Sequence, residues 1–185
     1  ELALFGPRQR VVAELSRLPQ PLAAAASRLV VCDAPDTVSQ DASAAWALRS
    51  GDKTSMVHML RYVAQGYAAA GVSAGNTGAL VALARRELGM LPGFSRPAIS
   101  TAIPARGGRR CYLLDLGANV ECDANHLYQF SILGSALVQS LEISTKPIVG
   151  LLNVGAEEFK GNDTIKKADQ LIQKSNINYG GFAEG

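Results

Sequence analysis

The feature that most constrains this chain is an alternation of short apolar runs of strand length with stretches that have helical spacing. Strands are expected over residues 27–33, around Leu29-Val30-Val31-Cys32, and over residues 98–103, 111–116, 147–154 and 177–182. Helical patterns are expected over residues 9–18, ended by Pro19 and Pro21, then from Thr54 or Ser55 to about residue 69, and over residues 77–88, 123–141 and 162–174. Strands separated by helices of this length make βαβ units, and such units build a mostly parallel sheet with helices on both faces. Leu2-Ala3-Leu4 reads as the tail of a strand and Gly71-Val72 as a short one. Residues 33–53 read as loop and short helix, Pro92-Gly93 as a turn, and Arg106-Gly107-Gly108-Arg109 as a hairpin-like turn. With no internal repeat and no long linker, the expectation is a single α/β catalytic domain over residues 1–185. The start at Glu1 and the abrupt end at Gly185 read as an internal portion of a longer chain.

Composition narrows the class. Hydrophobic residues make up 48% and aromatics 6%, which suits helices packed closely on a sheet better than an all-β sandwich. No apolar run is long enough to span a membrane. Cys32, Cys111 and Cys122 are odd in number and not closely spaced, which argues for a reducing compartment rather than a disulfide framework. Cys32 and Cys111 lie in expected strands and read as small buried hydrophobes. His58 and His126 lie apart in helical stretches, no zinc-ligand spacing is present, and no metal or cofactor is expected. Charge is uneven: residues 1–110 hold 13 Lys and Arg against 7 Asp and Glu, while residues 111–185 hold 5 against 9. Arg85, Arg86, Arg96, Arg106, Arg109 and Arg110 form either a solvated basic face or a docking surface for an acidic partner. Nucleic acid is disfavoured, because no aromatic platforms interleave with the arginines.

Chemistry concentrates in four Gly-rich polar segments that follow expected strands. They are Ser73-Ala74-Gly75-Asn76-Thr77-Gly78, Asp115-Leu116-Gly117-Ala118-Asn119-Val120, the run from Asn153 through Glu157, Glu158, Lys160 and Gly161 to Asn162, and Phe182-Ala183-Glu184-Gly185. In a parallel sheet the C-terminal strand ends share one edge, where open α/β folds bind ligands. In the first segment Gly75 and Gly78 let backbone N–H groups face an anion. Ser73 and Thr77 add hydroxyls, Asn76 an amide, and the helix beginning near Thr77 a favourable dipole. The loop is neither a Walker A nor a dinucleotide fingerprint. Lys160 can neutralise a phosphate or a developing oxyanion, or simply pair with Glu157. Asp115 ends a very apolar strand, where a carboxylate needs either a role or a hydrogen-bonding partner.

Four motifs together carry a family resemblance: Ser-Ala-Gly-Asn-Thr-Gly-Ala-Leu at 73–80, Leu-Leu-Asp-Leu-Gly-Ala-Asn-Val at 113–120, Gly-Leu-Leu-Asn-Val-Gly with Glu-Glu-Phe-Lys-Gly-Asn at 150–162, and Asn-Tyr-Gly-Gly-Phe-Ala-Glu-Gly at 178–185. In order and spacing these resemble the bacterial phosphate acyltransferases of phospholipid synthesis. The likeness is dense from residue 73 onward and looser before residue 53, where Asp41 to Arg49 lacks the lysine and proline of the family pattern. Ala156 stands where a Glu is usual.

The resemblance implies an isocitrate/isopropylmalate dehydrogenase-like fold, commonly dimeric. It also implies a cytoplasmic enzyme, working at the inner face of the cell membrane when peripherally attached. Such an enzyme moves a long-chain acyl group from acyl carrier protein to inorganic phosphate, and a membrane glycerol-3-phosphate acyltransferase consumes the acyl phosphate. On this reading Lys160, Asn119 and Asp115 are the catalytic candidates. Ser73, Gly75, Asn76, Thr77, Gly78, Gly117, Glu158, Gly161 and Asn162 bind phosphate or substrate, and Asn119 or Asn76 steadies the oxyanion. The alternatives are a coenzyme A-dependent relative and a non-catalytic fragment that binds carrier protein or a membrane surface.

Overall fold

The computed structural model describes residues 1–20, 22–119, 121–141, 143–153 and 162–184. The chain divides into two compact units, Glu1–Leu91 and Pro92–Gly185.

In the first unit, β1 (Leu2–Gly6) and β2 (Leu29–Asp33) pair in parallel, with Leu2 opposite Leu29 and Gly6 opposite Asp33. The connection runs through α1 (Arg8–Leu15) and a 3₁₀ turn at Leu22–Arg28. Three helices follow without an intervening strand: α2 (Ala44–Ser50), α3 (Ser55–Ala64) and α4 (Thr77–Leu88). Each starts on a side-chain cap: Ser43 accepts from Trp46 N–H, Thr54 from Val57 N–H, and Asn76 from Ala79 N–H. Their apolar stripes meet in one core of Ala47, Met56, Val57, Leu60, Ala79 and Leu83. An ion network ties the same helices on the outside. Glu87 accepts from Arg61 Nε at 3.0 Å and pairs with Arg86, while Asp52 accepts from Arg86 at 2.8 Å and Arg61 at 3.2 Å. Arg86 also donates to the Leu48 carbonyl at 2.8 Å.

In the second unit, β3 (Ser100–Pro104) and β4 (Arg110–Leu114) form an antiparallel hairpin, with Pro104 opposite Arg110. The helix α5 (Ala124–Ser140) packs on β4 and on α6 (Asp163–Gln173). The strands β5 (Val149–Asn153) and β6 (Tyr179–Glu184) pair in parallel. Their register slips by one residue between Val149 and Leu151, opposite Gly180 and Gly181, where Gly181 has a φ of 83°. Leu151, Ala168 and Ile172 centre the core there, with Leu127, Tyr128, Ile165 and Phe182 around them.

The α/β class expected from the alternation is what the structure has, but the sheets are small. Each described sheet has two strands, two of them parallel and one antiparallel, instead of one mostly parallel sheet. The expected strand at Gly71-Val72 does not form. Val72 is 92% exposed and no strand among the described residues pairs with it, so a two-residue apolar run lacks the ladder that would hold it extended. Helix α3 stops at Ala64 rather than near residue 69, because Gly66 turns the backbone to a φ of 79°. Cys32 and Cys111 do lie in strands, but neither is buried: Cys32 is half-buried and Cys111 is exposed, since among the described residues nothing covers the hairpin there. Residues 182–184 belong to β6 itself and not to a loop after it.

Candidate active site

The first polar loop is shaped by its own side chains. Asn76 caps α4 by accepting from Ala79 N–H at 2.8 Å. Its amide nitrogen donates to the Gln40 carbonyl at 2.7 Å and the Ala42 carbonyl at 2.9 Å. Gln40 returns a long bond of 3.4 Å to the Ala74 carbonyl. Ser73 Oγ accepts from Gly75 N–H at 3.2 Å, closing the turn. A Cβ at Gly75 would lie 3.1 Å from the Met56 terminal methyl and 3.4 Å from Ser73 Oγ, tighter than ordinary packing. At Gly78 the nearest atom to such a Cβ is Asn76 Oδ1 at 3.5 Å, so this glycine is not demanded by space.

With the side chains bonded inward, the N–H groups of Thr77 and Gly78 have no acceptor among the described residues. Both residues are exposed at the N-terminus of α4, a helix of 12 residues. Open N–H groups at the positive end of a helix suit an anion. The Ser73 hydroxyl, already an acceptor, and the Thr77 hydroxyl remain able to donate.

The second loop lies in the other unit and has a different character. Asp115 has a φ of 64°, the one non-glycine residue in the left-handed region among those described. Asp tolerates this region better than most side chains, though at some strain. Its backbone N–H reaches the Ile99 carbonyl at 2.8 Å, extending the hairpin ladder. Its carboxylate is held at both oxygens: Asn119 Nδ2 donates to Oδ1 at 3.1 Å, and the Cys122 thiol donates to Oδ2 at 3.4 Å. Asn119 also donates to the Pro97 carbonyl at 2.9 Å, so both of its amide hydrogens are engaged. Burial, reinforced by the hydrogen bond to Asp115, pushes the Cys122 thiol up to about 11. Cys122 is therefore a thiol and not a thiolate at neutral pH. Gly117 completes this turn with a φ of 87°.

Asn162 caps α6, accepting from Ile165 N–H at 2.9 Å. Lys160, Glu158 and Gly161 lie outside the described residues. Of the candidates, Ser73, Gly75, Asn76, Thr77 and Gly78 are thus gathered in one loop, and Asp115, Gly117 and Asn119 in another. The residues that sequence reasoning missed are Gln40 and Ala42, whose carbonyls anchor Asn76, and Cys122 as a donor to Asp115. A signal for the first was present in Asn76, since a primary amide in a tight loop needs carbonyl acceptors.

A cleft of about 630 Å³ lies beside the N-terminal half of α5, lined by Phe94, Ser95, Asp123, His126 and Gln129 among others. Gln129 grips its far wall, accepting from Ser95 N–H at 3.0 Å and donating to the Gly93 carbonyl at 3.0 Å. Asp123 and His126 close a reciprocal cap on α5: His126 N–H donates to Asp123 Oδ1 at 2.9 Å, and His126 Nδ1 accepts from Asp123 N–H at 3.1 Å.

These features describe an α/β protein with a polar loop opening on a helix N-terminus. Its family follows from its whole length: residues 1–185 match the family described as "Fatty acid synthesis protein", and the chain belongs to that family. It is similar to the phosphate acyltransferase of Stutzerimonas stutzeri, 52% identical over 160 residues, covering 86% of this chain and 44% of that protein. The phosphate acyltransferase of Alkalilimnicola ehrlichii is 48% identical over 158 residues, covering 85% of this chain and 46% of its own. That of Shewanella sp. strain ANA-3 is 42% identical over 186 residues, covering 100% of this chain and 54% of its own. The chain spans about half the length of the curated relatives it matches.

Proposed function

We propose that this chain carries part of a site at which a long-chain acyl group passes from acyl carrier protein to inorganic phosphate, giving an acyl phosphate for phospholipid synthesis. The observation that supports this most is sustained identity, 42–52%, with proteins named phosphate acyltransferase across 85–100% of the chain. The open N–H groups of Thr77 and Gly78, on a loop held rigid by Asn76, supply the matching chemistry.

In the proposed reaction a phosphate oxygen attacks the thioester carbonyl, the C–S bond breaks, and the sulfur leaves as a thiol after taking a proton. Phosphate already carries negative charge, so the protein's task is to hold it against the carbonyl, which supplies several kcal/mol of barrier reduction. The hydroxyls of Ser73 and Thr77 and the open backbone N–H groups of Thr77 and Gly78 would hold the phosphate, Gly75 would give the turn its room, Lys160 would balance charge, and Glu158, Gly161 and Asn162 belong to the same proposed set. Asn76 serves by fixing the loop. For Asn119 to steady an oxyanion it would exchange its bond to Asp115 for one to the intermediate; Asp115 and Gly117 otherwise set its position. A whole protein with an isocitrate/isopropylmalate dehydrogenase-like fold belongs to the same proposal. So do a homodimer, a cytoplasmic location and peripheral contact with the membrane enzyme that consumes acyl phosphate.

The test is acyl-phosphate formation, trapped with hydroxylamine as the hydroxamate. Lys160→Ala should lower turnover about 100-fold with unchanged folding. Full turnover in that variant removes Lys160 from the site. Absence of hydroxamate from the unaltered chain with every thioester donor overturns the catalytic reading.

A further inference from the structure

The six clustered arginines are not equivalent in the structure. Arg86 is held by Asp52, Glu87 and the Leu48 carbonyl, and Arg96 by the Glu121 carbonyl at 3.0 Å. Arg106, Arg109 and Arg110 have no carboxylate partner among the described residues. They sit at one end of the β3–β4 hairpin, and residues 101–111 are exposed throughout. The turn is built to present them. Ala105 N–H closes it on the Arg109 carbonyl at 2.9 Å, and Gly107 and Gly108 take φ values of 72° and 71° that few other residues accept. Arg109 Nε then folds back onto the Arg106 carbonyl at 3.2 Å. From Glu87 to Asp115 the sequence contains no acidic residue, so nothing nearby in the chain offsets this charge. Ile103, 40% exposed, pairs with exposed Cys111 one step back from the Pro104–Arg110 pair and on the other face of the ribbon. Uncompensated arginines on an exposed turn have the charge of a surface that docks an acidic protein, arginine being the cation favoured at interfaces.

We propose that this hairpin end, through Arg106, Arg109 and Arg110, docks the acidic carrier protein that delivers the acyl thioester. The inference rests on the acyltransferase reading and says where on this chain the donor lands. The partner is a folded protein with a carboxylate-rich face. Nucleic acid fits less well, because no aromatic side chain stands among the three arginines to stack on bases.

The experiment titrates fluorescently labelled acyl carrier protein with the 185-residue chain at low and at physiological salt. It compares the unaltered chain with the triple variant R106E/R109E/R110E and with R85E, a reversal at an exposed arginine of α4. Melting curves check that all three fold alike. The triple reversal should weaken binding roughly 30-fold or more and R85E less than twofold, with the affinity of the unaltered chain falling as salt rises. Equal binding by the triple variant overturns the proposal, as does absence of binding by the unaltered chain. A double-stranded oligonucleotide bound as tightly as the carrier protein also overturns it. A separate arm measures hydroxamate formation from an acyl-coenzyme A, whose thioester needs no acidic protein face. Loss of carrier binding with that activity retained supports docking at the hairpin. If the unaltered chain yields no hydroxamate from any thioester, the acyltransferase reading fails on its own, while the titration still judges the hairpin.

Discussion

In the loop that starts α4, polar side chains bond to the chain around them and the backbone N–H groups of Thr77 and Gly78 are left open. In the loop after β4 the order is reversed: the backbone is fixed in a strained turn at Asp115, and the polar side chains saturate one another. The first arrangement offers donors to a ligand and the second offers a carboxylate already occupied at both oxygens. Proximity of Gly, Asn and Asp in a sequence therefore does not by itself say which groups face a ligand. That depends on where the amides of Asn76 and Asn119 are engaged.

The largest effect should come from Asn76→Ala, which removes the cap of α4 and two bonds to residues 40 and 42 together. A loss of about 3 kcal/mol in denaturant unfolding is expected, with loss of any phosphate binding. A change below about 1 kcal/mol would mean that the loop does not depend on that tether.

The ion network of the first unit should matter less. Burial opposes ionisation of Glu87, but hydrogen bonds from Arg61 and Arg86 outweigh it and hold the carboxyl below its ordinary value. Stability from this group is thus present above the ordinary carboxylate range and lost as pH falls through its folded value. Glu87→Gln should cost about 1–2 kcal/mol at neutral pH and flatten the acid limb of the stability curve. An unchanged acid limb would count against the network.

In the second loop, Asp115→Asn tests the pairing with Cys122. Because burial is the larger cause, the thiol should titrate below the native value of about 11 yet stay above its ordinary 9.0, read from alkylation rates against pH. The raised thiol has a stability counterpart with the opposite sign to Glu87. Its contribution is complete below the unfolded value and fades as pH rises through about 11.

The smallest structural effect is expected at Thr77→Ala, within about 0.5 kcal/mol, because the hydroxyl holds no bond among the described residues. Phosphate affinity should nevertheless fall, measured by calorimetry. A variant that is destabilised but binds normally would place Thr77 with Asn76 as a structural residue.

Much of the second half was legible because its helices carry local signals. The helices expected from about residues 123 and 162 are α5 and α6, each starting within one residue of that position, and α4 in the first unit spans the expected 77–88. The hairpin turn at residues 106–109 was legible from its glycines. The sheets were not, because strand pairing depends on a partner that no local pattern specifies, as Gly71-Val72 and the exposed Cys111 show. Of the four polar segments read from the sequence, the one at 73–78 is a loop running into α4, the one at 115–119 is a loop, residues 182–184 are the end of β6, and residues 154–161 lie outside the described residues. The direction of each amide was not legible, since the acceptors for Asn76 sit in residues 39–42, a stretch with neither hydrophobic period nor turn signature.

That last contact has a consequence for how the loop comes into being. The bonds from Asn76 to Gln40 and Ala42 bridge 36 and 34 residues of chain. Closing such a span carries an entropic toll that a neighbouring turn does not. The shape of the loop therefore depends on a distant segment being in place. A graft of residues 73–88 onto another scaffold would carry the letters of the motif without its form unless residues 39–42 travelled with it.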